Sequence, residues 1–284
     1  MVDKKRIEEL ELIATQVRRD ILRMVYEVQS GHVGGSLGCA DFMTALFFEV
    51  MDCEPTTFTM DGNNQDMFFL SNGHITPVYY SVMARRGYFP VAELSTFRKL
   101  HTRLQGHPSN AHELHGVRVA SGSLGQGVSI ALGAAQAKKM NKDTNLVYVL
   151  TGDGELQEGQ MWEAFMYAGA KKVDNIILTV DYNHKQIDGT VENVMDLLDL
   201  EEKFRSFGWE VIKGEGNNME LLLNCLESAK KSVGNGKPVA FLMKTEMGFG
   251  VDFMTGTHKW HGTPPNKEQF ENAIAQIPET LTDY

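Results

Sequence analysis

Apolar positions along the chain follow two different periods. From about Lys4 to Gln29, Leu10, Ile13, Val17, Ile21 and Met24–Val25 recur at helical spacing, which predicts an amphipathic helix with Arg18, Arg19, Asp20 and Arg23 on its wet side. Ser30-Gly31-His32-Val33-Gly34-Gly35-Ser36 then reads as a glycine-rich loop. Helical spacing returns from Asp41 to Met51 and in the alanine-rich Gly125 to Met140. Four short runs are of another kind. Met67–Leu70, Asn145–Leu150, Ile176–Val180 and Val239–Met243 are apolar without alternation, as strands buried on both faces are. A helix of roughly Gly159 to Lys171 lies between the second run and the third, making a strand–helix–strand unit. The expected fold class is therefore α/β, a parallel sheet covered by helices on both faces. No repeat, low-complexity tract or shift of composition marks a linker, so residues 1–284 are expected to form one domain.

Composition changes this picture little but excludes several functions. A formal charge of -10 argues against a nucleic-acid or anionic-membrane surface, which would need basic patches. No segment reaches the ~18 uninterrupted apolar residues of a membrane span, and the N-terminus lacks the apolar core of a signal peptide. Cys39, Cys53 and Cys225 show no C-x-x-C spacing, so neither a disulfide framework nor a thiolate metal site is expected. Together these features point to a soluble chain in a reducing cytoplasm.

Candidate chemistry gathers beyond the strand ends, where ligands of parallel sheets bind. Thr151-Gly152-Asp153-Gly154 closes one strand and Asp181-Tyr182-Asn183 the next. A carboxylate and an amide oxygen on neighbouring strand tips suit a hard cation such as Mg²⁺, with phosphate oxygens and water completing its shell. Gly152 and Gly154 let a phosphate approach the backbone, and the following helix N-terminus adds favourable dipoles. A dinucleotide fold competes, since Gly152-x-Gly154 with Asp181 imitates its fingerprint. Gln157, however, stands at the third glycine, and Asp153 would repel a pyrophosphate unless a cation intervened. Taken alone, Gly-Asp-Gly also describes a turn with a solvated helix-capping Asp. The polar stretch from Arg103 to Gly122 holds three histidines and reads as a long loop of the functional kind.

The segment Gly152-Asp153-Gly154-Glu155-Leu156-Gln157-Glu158-Gly159, with Asn183 downstream, resembles the thiamine diphosphate motif of transketolases. Ser30–Gly35, Leu70–His74, Gln105–Pro108, Gly122–Gly127 and Ile187–Gly189 resemble further segments of that family, in the family's order. The resemblance implies a thiamine diphosphate-binding fold and a metal, Mg²⁺ with Ca²⁺ or Mn²⁺ as substitutes. The metal would be held by Asp153, Asn183 and the backbone carbonyl of Lys185, where the family usually has an aliphatic residue. It implies diphosphate contacts from Gly154, His74 and His258, with Gly122 and Gly152 also at the cofactor. Leu124, Ile187 and Met247 would pack against its rings, Met247 again replacing an aliphatic residue. His32 and His258 are implied in proton transfer and His107 at a donor-sugar hydroxyl, with His74 and His261 completing the catalytic histidines. Glu158 and Glu163 match the family's subunit-contact acids, or else lie on a solvated helix face. His101, His112 and His115 are expected at the surface, and His184 has no implied role.

A whole transketolase continues into a pyrimidine-binding domain and a smaller C-terminal one. Nothing from Gln269 to Tyr284 could furnish their glutamate, ring-stacking pocket or basic residues. The resemblance therefore implies a split enzyme, with a separately encoded partner subunit carrying both missing domains and two copies of each chain. Its reaction would be transfer of a two-carbon ketol unit from a ketose phosphate to an aldose phosphate. Acyl transfer of the 2-oxo-acid dehydrogenase type, deoxyxylulose phosphate synthesis and a non-catalytic metal–diphosphate module are the alternatives. The histidine-bearing segments argue for sugar chemistry, since protons must move on and off hydroxyls near neutral pH.

Overall fold

The structure, a computed structural model, describes residues 2–284. Helices α1 (Lys4–Val28), α2 (Val33–Gly38) and α3 (Ala40–Ala45) precede strand β1 (Met67–Leu70) and helix α4 (Thr76–Arg86). After a long irregular stretch come α5 (Gly127–Met140), β2 (Val147–Gly152), α6 (Gly159–Ala170) and β3 (Ile176–Tyr182). A small hairpin, β4 (Lys185–Gln186) and β5 (Gly189–Thr190), leads into α7 (Val191–Met195) and α8 (Leu200–Ser206). Strand β6 (Glu210–Glu215), α9 (Met219–Ser232), β7 (Val239–Lys244) and α10 (Lys267–Gln276) complete the chain.

Five strands form one parallel sheet in the order β1-β2-β3-β7-β6. The apolar runs form its centre because alternate side chains of each strand enter opposite cores. Tyr148 and Leu150 pack with α1, α3, α4 and α9, while Val147 and Val149 pack with α5, α6 and α8. No polar alternation is needed when both faces are dry. The α/β fold expected from the sequence, a parallel sheet covered by helices on both faces, is the fold observed.

Three local features depart from expectation. Strand β6, Glu-Val-Ile-Lys-Gly-Glu, lies at the sheet edge with one neighbour, so its charged residues stay at the surface and mask the strand. The glycine-rich segment is helical from Val33 to Gly38 rather than a loop. Its glycines serve close packing: a Cβ at Gly34 would lie 2.7 Å from the Trp260 carbonyl oxygen, and one at Gly38 2.9 Å from that of Glu246. Arg18 and Asp20 are buried rather than on the wet side of α1. Arg18 pairs with Asp41 at 2.5 Å and Asp20 with Arg85 at 2.8 Å, while Arg19 and Arg23 hold Asp283. Partners from α3, α4 and the C-terminal segment neutralise charges that the helical wheel alone assigns to water.

No helix among the described residues is long and apolar enough to cross a membrane. All three cysteines are free thiols.

Candidate active site

Pairing of β2 with β3 sets Gly152 opposite Asp181, which brings the two polar strand tips together. Beyond them lies a cavity of about 380 Å³. Asp153, Asn183, Lys185, Gly152, Gly154, Gly122, Leu124, Ile187 and Met247 line it, with His32, His74, His107 and His261. His258 does not: it is exposed, on a turn closed by the His261 N–H on the His258 carbonyl at 2.9 Å. Of the two histidines of that loop, His261 is the one in the cleft. Another surface cavity, about 470 Å³ at Tyr182 and Lys244, is lined by charges already paired, Lys213 with Glu201 and Lys244 with Glu215.

Asp153 is buried, and its two oxygens accept the Gly154 N–H at 2.8 Å and the His184 N–H at 2.5 Å. Burial, with the charge of Asp181 adding to it, pushes the Asp153 carboxyl up to about 8. Asn183 donates its Nδ2 to Asp181 at 2.9 Å, which turns Oδ1 the other way. Oδ1 accepts the Lys185 N–H at 2.8 Å. Among the described residues no cluster of three His, Cys, Asp or Glu side chains could hold a metal. The donor set is one carboxylate, one amide oxygen and main-chain carbonyls, and it fits a hard cation that takes phosphate oxygens and water as its remaining ligands. Asn72 Oδ1, His32 Nδ1 and His261 Nδ1 are buried without a partner in the chain, as atoms that hydrogen-bond a ligand would be.

Lys185 lies on the hairpin with its ammonium 2.9 Å from Glu246 Oε1, which also accepts the Gly256 N–H at 2.8 Å. The hairpin is thereby tied to the loop that carries His261.

The rings of His32, His74 and His261 form a triangle with centroids 4.8, 5.4 and 5.2 Å apart. His107 covers Gly122, whose φ of 122° disfavours a side chain and where a Cβ would lie 2.4 Å from the His107 ring. Burial, reinforced by the neighbouring imidazoles, lowers His32 to about 4 and His74 well below the usual range. His261 and His107 are also lowered, again chiefly by burial. These rings are neutral at pH 7 and can accept protons. Stability follows from the same shifts. Below about pH 6.5 the unfolded chain takes up protons that the folded chain refuses, so stability falls as pH drops toward 4. A thermal-melting series from pH 7 to pH 4.5 should therefore show His32→Gln losing less stability than the parent. Equal slopes would disprove the assignment.

Three residues inside segments singled out above, but with no site role assigned to them there, also shape the site. Glu155 is buried and accepts from Ser71 Oγ at 2.5 Å, the Gly125 N–H at 2.9 Å and the Gly152 N–H at 3.2 Å. Asp181 accepts from Asn183 and from the Thr245 hydroxyl. Asn72 stands beside Gly152. Glu158 is exposed at the cavity rim, and Glu163 is exposed on α6.

Residues 10–277 match the family described as "Transketolase, thiamine diphosphate binding domain". The chain is 35% identical over 275 residues to a subunit of the apulose-4-phosphate transketolase of Phocaeicola vulgatus, covering 97% of this chain and 96% of that one. It is 36% identical over 269 residues to a 6-deoxy-6-sulfo-D-fructose transketolase subunit from a Clostridium species, covering 95% and 96%. The solved transketolase of Campylobacter jejuni superimposes with a TM-score of 0.87 at 34% identity. That match covers 98% of this chain but 43% of the Campylobacter chain, so this chain spans less than half of it.

Proposed function

The chain belongs to the transketolase family, and from that membership we propose that it is the diphosphate-binding subunit of a two-subunit enzyme. The reaction is transfer of a two-carbon ketol unit from a ketose phosphate to an aldose phosphate. One observation carries this: Asp153 and Asn183 on adjacent strand tips open into the same cavity as three clustered histidine rings.

In this reading Asp153, Asn183 Oδ1 and the Lys185 carbonyl would hold Mg²⁺. Gly152, Gly154 and His74 would contact the cofactor's diphosphate, and Gly122, Leu124, Ile187 and Met247 would bound its rings. When bound, thiamine diphosphate supplies an electron sink for breaking a C–C bond beside a carbonyl. The chain's own part is to orient the donor sugar and move its protons. His32 and His261, neutral and desolvated, accept a proton from a sugar hydroxyl, and His107 holds a second hydroxyl.

Ile187 is 62% exposed, and α5 and α6 leave Ile130, Met166 and Tyr167 exposed beside Glu163. These surfaces suit a partner subunit carrying the pyrimidine-binding domain over the cofactor and a second copy of this chain against α5 and α6. The assembly is then a heterotetramer of two copies each, in the cytoplasm.

The test is reconstitution. This chain and a separately encoded pyrimidine-binding chain of the same genome are purified apart and mixed with thiamine diphosphate and Mg²⁺. Donors include pentose phosphates, apulose 4-phosphate and 6-deoxy-6-sulfofructose, the last two taken from the substrates in the relatives' names. Ketol transfer is expected with both chains and absent with either alone. Full-rate transfer by the isolated chain refutes the two-subunit assignment.

A further inference from the structure

His32 and His107 stand on segments far apart in the sequence, yet one guanidinium reaches both. Arg98 Nη1 donates to Ser30 Oγ at 2.9 Å, two residues ahead of His32. Its Nη2 donates to the Gly106 carbonyl at 3.3 Å, immediately ahead of His107. The fit is close: a Cβ at Gly106 would lie 2.6 Å from Arg98 Cζ. The Gly106 carbonyl also accepts from Thr76 Oγ1 at 3.0 Å, which ties the same turn to α4 two residues after His74. Arg98 is itself fixed by its N–H on the Leu104 carbonyl at 2.9 Å and by a left-handed φ of 54°, rare for an L residue. Its Nε is buried and unpartnered. Burial lowers Arg98, and its charge adds to burial in lowering both His32 and His107.

We propose that Arg98 is a positioning residue that sets the separation of His32 and His107 by spanning Ser30 and Gly106 from behind the cleft. The inference rests on the proposed roles of those two histidines toward the sugar. It explains why an arginine stands there. A planar fork reaches two acceptors at a fixed separation, whereas an ammonium on a flexible stem cannot hold both in one geometry. Arg98 makes its two side-chain hydrogen bonds with atoms preceding the histidines, so it acts through them.

The test begins with histidine ring signals in NMR spectra of the isolated full-length chain, which needs neither partner nor turnover. Arg98→Gln is expected to shift the His32 and His107 signals together. His115, held on the Pro55 carbonyl at 2.7 Å and against Phe58, is expected to stay in place. Ser30→Ala removes one arm only and is expected to move His32 without His107. Arg98→Lys keeps the charge but not the fork, and is expected to leave both signals displaced. In the reconstituted enzyme, Arg98→Gln should lower kcat/KM for the ketose donor by roughly 10- to 100-fold, the scale of a misplaced catalytic group. Unmoved His32 and His107 signals in Arg98→Gln would overturn the proposal. Full recovery in Arg98→Lys would overturn it too, by showing that charge alone matters. If Arg98→Gln does not fold, Ser30→Ala decides: an unmoved His32 signal refutes the bridge. An enzyme without ketol transfer would fail the functional reading while leaving the paired shifts intact, so the two failures are distinct.

Discussion

Asp153→Ala is expected to abolish metal-dependent binding of thiamine diphosphate, with a loss of at least roughly 100-fold in affinity. The size of the effect follows from the donor set. Asp153 is the one carboxylate of the proposed ligand set, to which Asn183 adds an amide oxygen and Lys185 a main-chain carbonyl. Mg²⁺ gives up its water reluctantly and gains most from a carboxylate and from the diphosphate itself. Without that carboxylate, the diphosphate would face the buried Asp181 with no cation between them. Asp153→Asn keeps the shape but can accept only one of the two backbone N–H groups and lacks the charge, so it should be nearly as deficient. Titration calorimetry with Mg²⁺ and thiamine diphosphate measures both variants. The metal-free melting temperature of Asp153→Asn is the control for folding and should change by no more than a few degrees. Tight metal-dependent binding by Asp153→Ala would sink the proposed site.

That site was legible in the sequence where chemistry sits next to structure. Strands β1, β2, β3 and β7 are uninterrupted apolar runs because both sheet faces are dry, so their ends could be located within about two residues, and the polar residues at those ends stood out. Strand β6 was not legible, since an edge strand with one neighbour can carry Glu210, Lys213 and Glu215. Glu155 illustrates a deeper limit. Its partner Ser71 is 84 positions away and its other partners are main-chain N–H groups, which leave no spacing pattern. Arg98 is hidden for the same reason. The pair His258 and His261 could be found together but not told apart, because three positions on a tight turn lead one to solvent and the other into the cleft. Arg18 and Asp20 fail in the opposite direction. A helical wheel knows nothing of Asp41 or Arg85, which make their burial tolerable.

The largest loss of stability from one added methyl group is expected at Gly169, in the last turn of α6. Helix propensity favours alanine over glycine there by about 1 kcal/mol. Packing forbids it. A Cβ on Gly169 would lie 1.7 Å from the Phe207 carbonyl oxygen and 2.9 Å from its carbon, both rigid main-chain atoms. The Phe207–Gly208 turn cannot retreat. Gly208 is left-handed at φ 83°, and the Phe207 N–H is shared between the carbonyls of Lys203 and Phe204. The next residue, Trp209, is buried between Phe165 and Phe204, its indole donating to the Phe165 carbonyl on α6 at 2.9 Å. Helix α6 must therefore move away, opening the core on its side of the sheet and shifting the Gly154–Gln157 turn that leads into it. Gly169→Ala should cost about 3 kcal/mol or more, at the upper end for overpacking. For a chain of this size that lowers the melting temperature by roughly 5 °C or more. Gly133→Ala on α5 is the matched control, since nothing lies within 4 Å of its added Cβ. It should be neutral or gain up to about 1 kcal/mol from propensity alone. Thermal or urea unfolding of the two variants separates propensity from packing. A Gly169→Ala protein that melts with the parent would mean that α6 does not rest on the Phe207 turn as described.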